Sequence, residues 1–310
     1  MVAAPIQPIL VMPVFRGGER FERALASLQG AAPFFRRIVI SLNSSTDSDD
    51  RRTAEVFRST YENPELIELI STGTELPWME HQYFWVNYLE STGAQSTDWI
   101  YWFAHDDELR LTGIKEITNS ECSWPLNQGT IYLGPWAMRH DEPDQLYNGP
   151  RDIDLESWTS FPINGPTRLP VAKWIGDQLV QPTYINMSGC VTTLNSFTSM
   201  REFRVEKPGG MRIEMATAAA PKNHFVQEFN TPVIITYGCE VSDRTKYAAV
   251  ARKDDKHLVA WLMNYTTKHP KAVITLAGSA VKVLGNHARA RINKKELPGE
   301  DWRYKETVKP

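Results

Sequence analysis

The 310-residue chain carries 34 Lys and Arg against 37 Asp and Glu, a formal net charge of -3 at pH 7, with 42% hydrophobic and 23% charged residues. That composition excludes a disordered or fibrous chain, and a charge so near neutral gives no global drive toward nucleic acid or an anionic membrane. Apolar runs such as that from Ile6 to Val14 are far too short to cross a bilayer, and the N-terminus lacks a basic stretch followed by a long apolar core, so the expected compartment is the cytoplasm.

Pro8 to Phe15 is a nearly continuous apolar run, the profile of a central strand buried on both faces. It ends in Arg16-Gly17-Gly18. From Glu19 to Gln29 the apolar residues Phe21, Ala24, Leu25 and Leu28 recur at helical spacing, and Gly30 supplies a stop signal. Arg37 to Leu42 reads as a second buried strand, running into the polar loop Asn43 to Asp50. Strand, helix and strand in this order imply a right-handed parallel unit, with ligands expected at the carboxyl ends of the strands. A helix from about Asp50 to Tyr61, a strand near Ile67 to Ser71 and a helix from about Glu80 to Thr92 continue the alternation. Asp98 to Ala104 again has the strand profile, and it delivers His105-Asp106-Asp107-Glu108 to its carboxyl end.

From Cys122 to Pro182 the chain is rich in Pro, Gly, Trp and Asp, with one clear strand at Thr130 to Leu133. An irregular excursion over the open face of the sheet is expected there. Gln181 to Leu194 reads as strand and turn, Ser196 to Phe203 and Met211 to Ala220 as helices, Pro232 to Tyr237 as a strand, and Arg244 to Tyr265 as a long amphipathic helix. Lys282 to Pro310 is basic and poor in apolar residues, a solvated tail or, alternatively, a surface that meets membrane phosphate at the inner face of the membrane or an acidic partner. Cys122, Cys190 and Cys239 are odd in number and widely spaced, as reduced thiols would be. Of ten Trp, eight lie between Trp78 and Trp174; filling of the core is the expected role, and a flat platform for sugar rings the alternative.

Three successive carboxylates, Asp106, Asp107 and Glu108, repel one another unless a cation or hydrogen-bond donors compensate them. A divalent ion, magnesium or manganese, is the economical answer, because such hard ions bridge carboxylates to substrate phosphates.

The order of strand ends Pro13-Val14-Phe15, Asn43-Ser44-Ser45-Thr46-Asp47 and His105-Asp106-Asp107-Glu108 resembles family 2 glycosyltransferases over about residues 6 to 115, and more loosely to about residue 245. The resemblance implies an α/β fold of the GT-A (Rossmann-like) type: a mostly parallel central sheet flanked by helices, with an irregular acceptor-side excursion and a C-terminal helical segment. It divides the chain into a glycosyltransferase domain at 1–245, whose nucleotide-sugar-binding half is 1–115 and acceptor half 116–245, and a C-terminal helix and basic tail at 246–310.

In that family the end of the first strand lines the nucleotide pocket, here Pro13, Val14 and Phe15. The second loop usually reads Asp-Asp-Gly-Ser-x-Asp; here Leu42 and Asn43 stand in place of the leading acids and Ser44 in place of the Gly. Asn43 retains the ability to accept from and donate to a pyrimidine edge. The family's Asp-x-Asp falls on Ala104 and Asp106. Donor contacts are thus expected from Pro13, Val14, Phe15, Asn43, Asp47, His105 and Asp106, and metal ligation from Asp106, Asp107 and Glu108, with Mn2+ or Mg2+ as cofactor. The resemblance implies an acidic general base at Glu214, with Glu202, Glu206 and Glu228 as competitors, and acceptor contacts at Ser188, Gly189 and Trp136. His224 and Tyr237-Gly238-Cys239-Glu240 are further candidates for a metal or diphosphate contact, and Arg244 and Lys246 for the leaving diphosphate.

The activity implied is metal-assisted, inverting transfer of a sugar from a nucleotide-diphosphate donor to an oligosaccharide or lipid-linked acceptor, in surface polysaccharide or lipid-linked glycan synthesis, with no nucleic-acid partner. Two other readings stay open. A nucleotidyltransferase making nucleotide sugars would carry a Gly-rich basic loop after its first strand, of which Arg16-Gly17-Gly18-Glu19-Arg20 is a faint version. A noncatalytic carbohydrate-binding protein would need only the Trp residues.

Overall fold

A computed structural model describes residues 5–44, 48–139, 156–158, 168–180, 187–199, 218, 220, 222–237, 263, 265–279 and 281–282. Its first half alternates strand and helix: β1 (Ile9–Val14), α1 (Gly18–Ser27), β2 (Arg37–Leu42), α2 (Asp49–Thr60), β3 (Ile67–Ser71), α3 (Trp78–Ser91) and β4 (Trp99–Trp102). Every residue of β1 is buried, which explains its unbroken apolar run. α2 starts where the Ser48 side chain accepts from the Arg51 N–H, with Asp49 and Asp50 in the first turn against the positive end of the helix dipole.

These four strands lie in the order β3-β2-β1-β4, all parallel. The chain walks outward from β1 to β3 and then returns to the other side of β1. The resulting switch point lies between β1 and β4, where open α/β sheets place their ligand crevice, at the carboxyl ends of the two strands.

Beyond β4 the sheet becomes mixed. β10 (Cys190–Thr193) pairs antiparallel with β4 and with β6 (Thr130–Leu133). β6 pairs parallel with β11 (Phe225–Glu228), which meets β9 (Leu169–Pro170) at the edge of the eight-stranded sheet. Two reversals leave β6 and β11 running the same way as β4, so their carboxyl ends share one edge, while β10 brings its amino end there. A second sheet, in the order β5-β12-β7-β8, joins β5 (Glu108–Leu109), β12 (Ile234–Tyr237), β7 (Trp136–Arg139) and β8 (Glu156–Trp158).

The core lies on both faces of the large sheet. Alternation along β1 sends Leu10 and Met12 toward Phe21, Leu25, Phe57 and Trp124, and Ile9 and Val11 toward Trp85, Val86, Leu89 and Trp174. Trp85, Trp124 and Trp174 are fully buried and Trp99 nearly so, in agreement with a core-filling role for these four. Cys122 and Cys190 are free thiols, as expected; Cys239 lies outside the described residues. Among the described residues no helix is long and apolar enough to cross a membrane.

The stretch expected to be irregular is more regular than its composition suggests. Its described part holds β6 to β9 and α5 (Val171–Val180), and α4 (Leu111–Ile117) precedes it; neither helix was expected. Each carries an internal glycine where another segment presses in. A Cβ on Gly113 would stand 1.9 Å from the Pro232 carbonyl oxygen, and one on Gly176 would stand 2.4 Å from Ser279 Oγ. The helix read at Ser196 begins two residues earlier, as α6 (Leu194–Ser199). Those read at Met211 to Ala220 and Arg244 to Tyr265, and the tail from residue 283, lie almost wholly outside the described residues.

Candidate functional site

The end of β1 carries Pro13 and Val14, both buried, and Phe15, 39% exposed at the mouth of the crevice. Across the switch point, Phe103 N–H donates to the Val11 carbonyl at 2.9 Å, which keeps the chain beyond β4 alongside β1. His105 then meets β1 directly: its Nδ1 lies 3.2 Å from the Pro13 carbonyl oxygen. A carbonyl only accepts, so Nδ1 carries the proton and Nε2 of the neutral ring keeps a lone pair.

The opposite wall is fastened to the same strand end. Ala104 N–H donates to Ser188 Oγ at 3.0 Å, and Gly189 N–H to the Trp102 carbonyl at 2.9 Å. Gly189 has φ 80, and Gly134, just past β6, lies against it: a Cβ on Gly134 would be 3.0 Å from Gly189 oxygen and 2.6 Å from Val233 Cγ2. Two backbones stripped of side chains therefore meet beside the crevice, an approach that only glycine permits. Ser188 is fully buried, serving the backbone of Ala104.

The acidic triplet divides. Asp106 sits partly exposed in the turn closed by Asp107 N–H to the Ala104 carbonyl, at 3.4 Å. Asp107 is only 4% exposed, and Glu108 enters β5, opposite Ile235 of β12. The cause is Leu109, buried at 5%, whose N–H donates to Ser27 Oγ and which draws the chain into the second sheet. Among the described residues no group of three or more His, Cys, Asp and Glu side chains is placed to hold a metal ion. The expected triad of ligands at Asp106, Asp107 and Glu108 is not gathered; of the three, Asp106 is the one in the turn at the crevice.

Asn43 also differs from its expected role. It is 4% exposed; its Nδ2 donates to the Leu76 carbonyl at 2.8 Å, and its Oδ1 accepts from the Leu76 N–H at 2.7 Å. The amide is engaged on both sides in holding the loop between β3 and α3.

A buried polar layer beneath the crevice escaped sequence reasoning. Ser41 of β2 and His81 of α3 are 0% and 2% exposed, with Ser41 Oγ 2.8 Å from His81 Nε2. Burial pushes the His81 pKa down to about 4, the Ser41 contact working against this and nearby His105 adding to it. Beside His81, Gln82 Oε1 accepts from Trp85 Nε1 at 2.8 Å and Trp102 Nε1 at 3.2 Å. The available signal was the polar pair His81-Gln82 in a helix otherwise rich in aromatic residues, together with a Ser in a buried strand.

At the rim, Arg16 adopts φ 50, stacks over the Phe15 ring at 5.0 Å and pairs with Glu75 at 3.2 Å. The basic loop thus ties to the neighbouring loop. Glu228, 2% exposed, ends β11 on the same edge of the sheet as Asp106. His224 precedes β11 and so belongs to the opposite, amino-end edge, which removes it as a metal or diphosphate contact beside Asp106. Trp136 opens β7, in register with Ile234 and Trp158. Asp47, Glu214, Glu202, Glu206, Gly238, Cys239, Glu240, Arg244 and Lys246 lie outside the described residues.

No protein-family model matches the chain, and no curated protein sequence does. Solved structures do. GalNAc-T7 with UDP, GalNAc and Mn2+ matches with a TM-score of 0.50 at 6% identity, over 76% of this chain and 43% of that one. S. aureus TarS 1-349 gives 0.47 at 10% identity, over 92% and 88%. A 4-diphosphocytidyl-2C-methyl-D-erythritol synthase gives 0.40 at 10% identity, over 76% and 91%. At such identities what is shared is architecture. The chain has the GT-A fold, an α/β arrangement with a mostly parallel central sheet and flanking helices.

Proposed function

We propose that the protein is a glycosyltransferase that takes a nucleoside diphosphate sugar into the crevice between β1 and β4. The observation that carries this reading is the delivery of His105 and Asp106 to the carboxyl end of β4, at the switch point of a GT-A sheet, with His105 held against the Pro13 carbonyl and Ala104 fastened to Ser188. An acidic residue left partly exposed in the turn at that point, Asp106, is poorly explained by packing.

In this reading Pro13, Val14 and Phe15 wall the nucleotide pocket, with the exposed Phe15 ring available to a base. Asp47 contributes to the nucleoside side, and Ser188, Gly189 and Trp136 to the acceptor side. His105, its ring oriented by the Pro13 carbonyl, offers Nε2 toward the donor. The donor set fits a magnesium or manganese ion that takes one carboxylate, Asp106, from the protein and its other oxygens from diphosphate and water; it does not fit a three-carboxylate cage. Such an ion, when bound, would neutralise charge on the leaving diphosphate. The presence of UDP and Mn2+ in the GalNAc-T7 structure supports a nucleoside diphosphate and a divalent metal.

Glu214 is proposed as the base that removes the proton from an acceptor hydroxyl, whose oxygen then attacks the anomeric carbon from the face opposite the diphosphate, with inversion. The acceptor is a saccharide of a surface polysaccharide or a lipid-linked glycan. The test is release of nucleoside diphosphate from a panel of nucleotide sugars in the presence of saccharide acceptors. Glu214→Gln is expected to slow transfer by about 10²- to 10⁴-fold while diphosphate binding persists. A wild-type rate for Glu214→Gln together with loss of rate in Glu228→Gln would move the base to the end of β11.

A further inference from the structure

The C-terminal helical segment has two apolar faces, and packing uses only one. Within residues 272–282, Ala272, Leu276 and Ser279 are buried, and Leu276 and Ser279 lie against Gly176 of α5. On the far side Val273 is 46% exposed, Ile274 84% and Val281 69%, and Ala277 is exposed between them. Spacings of three and four place 273, 277 and 281 on one side of a helix, with 274 beside them, so these groups form a stripe and not scattered single residues. Lys271, in the turn just before residue 272, and Lys282 are both exposed.

The charge of the segment departs from that of the chain. Residues 263–295 hold seven Lys and Arg and no Asp or Glu, three of them (Lys268, Lys271 and Lys282) in the described helical part, although the whole chain has a net charge of -3. A second copy of the chain on this stripe would set cation against cation across a two-fold axis. An anionic bilayer offers both complements at once: acyl boundary for the stripe, and phosphate for the Lys side chains, which reach outward along their apolar stems.

We infer that the helical residues 272–279 and 281–282 seat the protein on an anionic lipid bilayer, with Val273, Ile274, Ala277 and Val281 entering the interface and Lys271 and Lys282 meeting the headgroups. The contact is peripheral, and it stands independently of the reaction at the crevice.

Flotation of the full chain with phosphatidylcholine vesicles, and with vesicles that also contain phosphatidylglycerol, tests this. Wild type is expected to float with the anionic vesicles and only weakly with the neutral ones. Ile274→Asp with Val281→Asp is expected to weaken binding by at least about tenfold, since each buried aliphatic side chain contributes more than one decade of affinity. Lys271→Glu with Lys282→Glu is expected to weaken it by about thirtyfold at low salt. All four positions are exposed, so both variants should keep the wild-type melting temperature, which is checked first. Wild type that ignores anionic vesicles, or variants that bind as wild type does, overturn the inference. So does light scattering that finds a wild-type dimer and a monomer for Ile274→Asp with Val281→Asp, because the stripe would then be a protein interface.

Discussion

His81 illustrates what individual residues contribute beneath the crevice. Its ring is 2% exposed, held by Ser41, and its pKa is pushed down to about 4. In the unfolded chain the imidazole keeps its ordinary value near 6.5, so above that pH neither state is protonated. Between there and about 4, the unfolded state binds a proton that the native state refuses, and stability therefore falls as pH falls. The loss between pH 7 and pH 5 is expected to be about 2 kcal/mol, read as a shift in urea midpoint. In His81→Gln this pH dependence should be weaker by that amount; an unchanged profile would show that the acid sensitivity lies elsewhere. Asn43 shows the limit of sequence at this scale. Its amide offers the same donor and acceptor to a pyrimidine edge as to a peptide group. Only the fold reveals that Leu76, 33 residues on, takes both.

Elements divide into those whose sequence states their position and those whose partners decide it. β1, β2 and β4 were legible because strands buried on both faces need unbroken apolar runs, and α1 because Phe21, Ala24, Leu25 and Leu28 mark one face. α4 and α5 were not, because Gly113 and Gly176 weaken helix propensity and are there to admit Pro232 and Ser279. Gly176→Ala tests that account. A Cβ 2.4 Å from Ser279 Oγ and 3.3 Å from Ser279 Cβ must turn that hydroxyl off the Thr275 carbonyl and press on the C-terminal helix, at a cost of about 1–3 kcal/mol. Amide exchange should quicken across 272–279 while β1 and β2 are unaffected; exchange unchanged in that helix would mean that Gly176 is not a packing site. The division of the acidic triplet has a related cause. Adjacent residues suggest a cluster, yet only Glu108 belongs to β5, drawn there with the buried Leu109, whereas Asp106 stays in the preceding turn.

For the whole molecule, the alternation of the first hundred residues was enough to specify a parallel unit and the strand ends where ligands are expected, while the switch point between β1 and β4 emerged only from the strand order. The second half mixes parallel and antiparallel pairs, so neither strand order nor direction follows from local pattern; β10 reaches β4 from almost ninety residues away. The site inherits this division. The proposed donor side, from Phe15 to Asp106, is assembled from neighbouring strands, whereas Gly134, Ser188 and Gly189 come together only through the mixed part of the sheet. The central claim, that this crevice holds a nucleoside diphosphate with a divalent ion at Asp106, is tested most directly by calorimetry. Uridine, thymidine, guanosine and cytidine diphosphates are titrated, each with and without manganese, into wild type and Asp106→Ala. One diphosphate is expected to bind in a manganese-dependent manner and to lose at least about tenfold in affinity in the variant, as loss of a charge-bearing ligand requires. If no diphosphate binds under any condition while free oligosaccharides do, the crevice is a noncatalytic carbohydrate site and the account is contradicted.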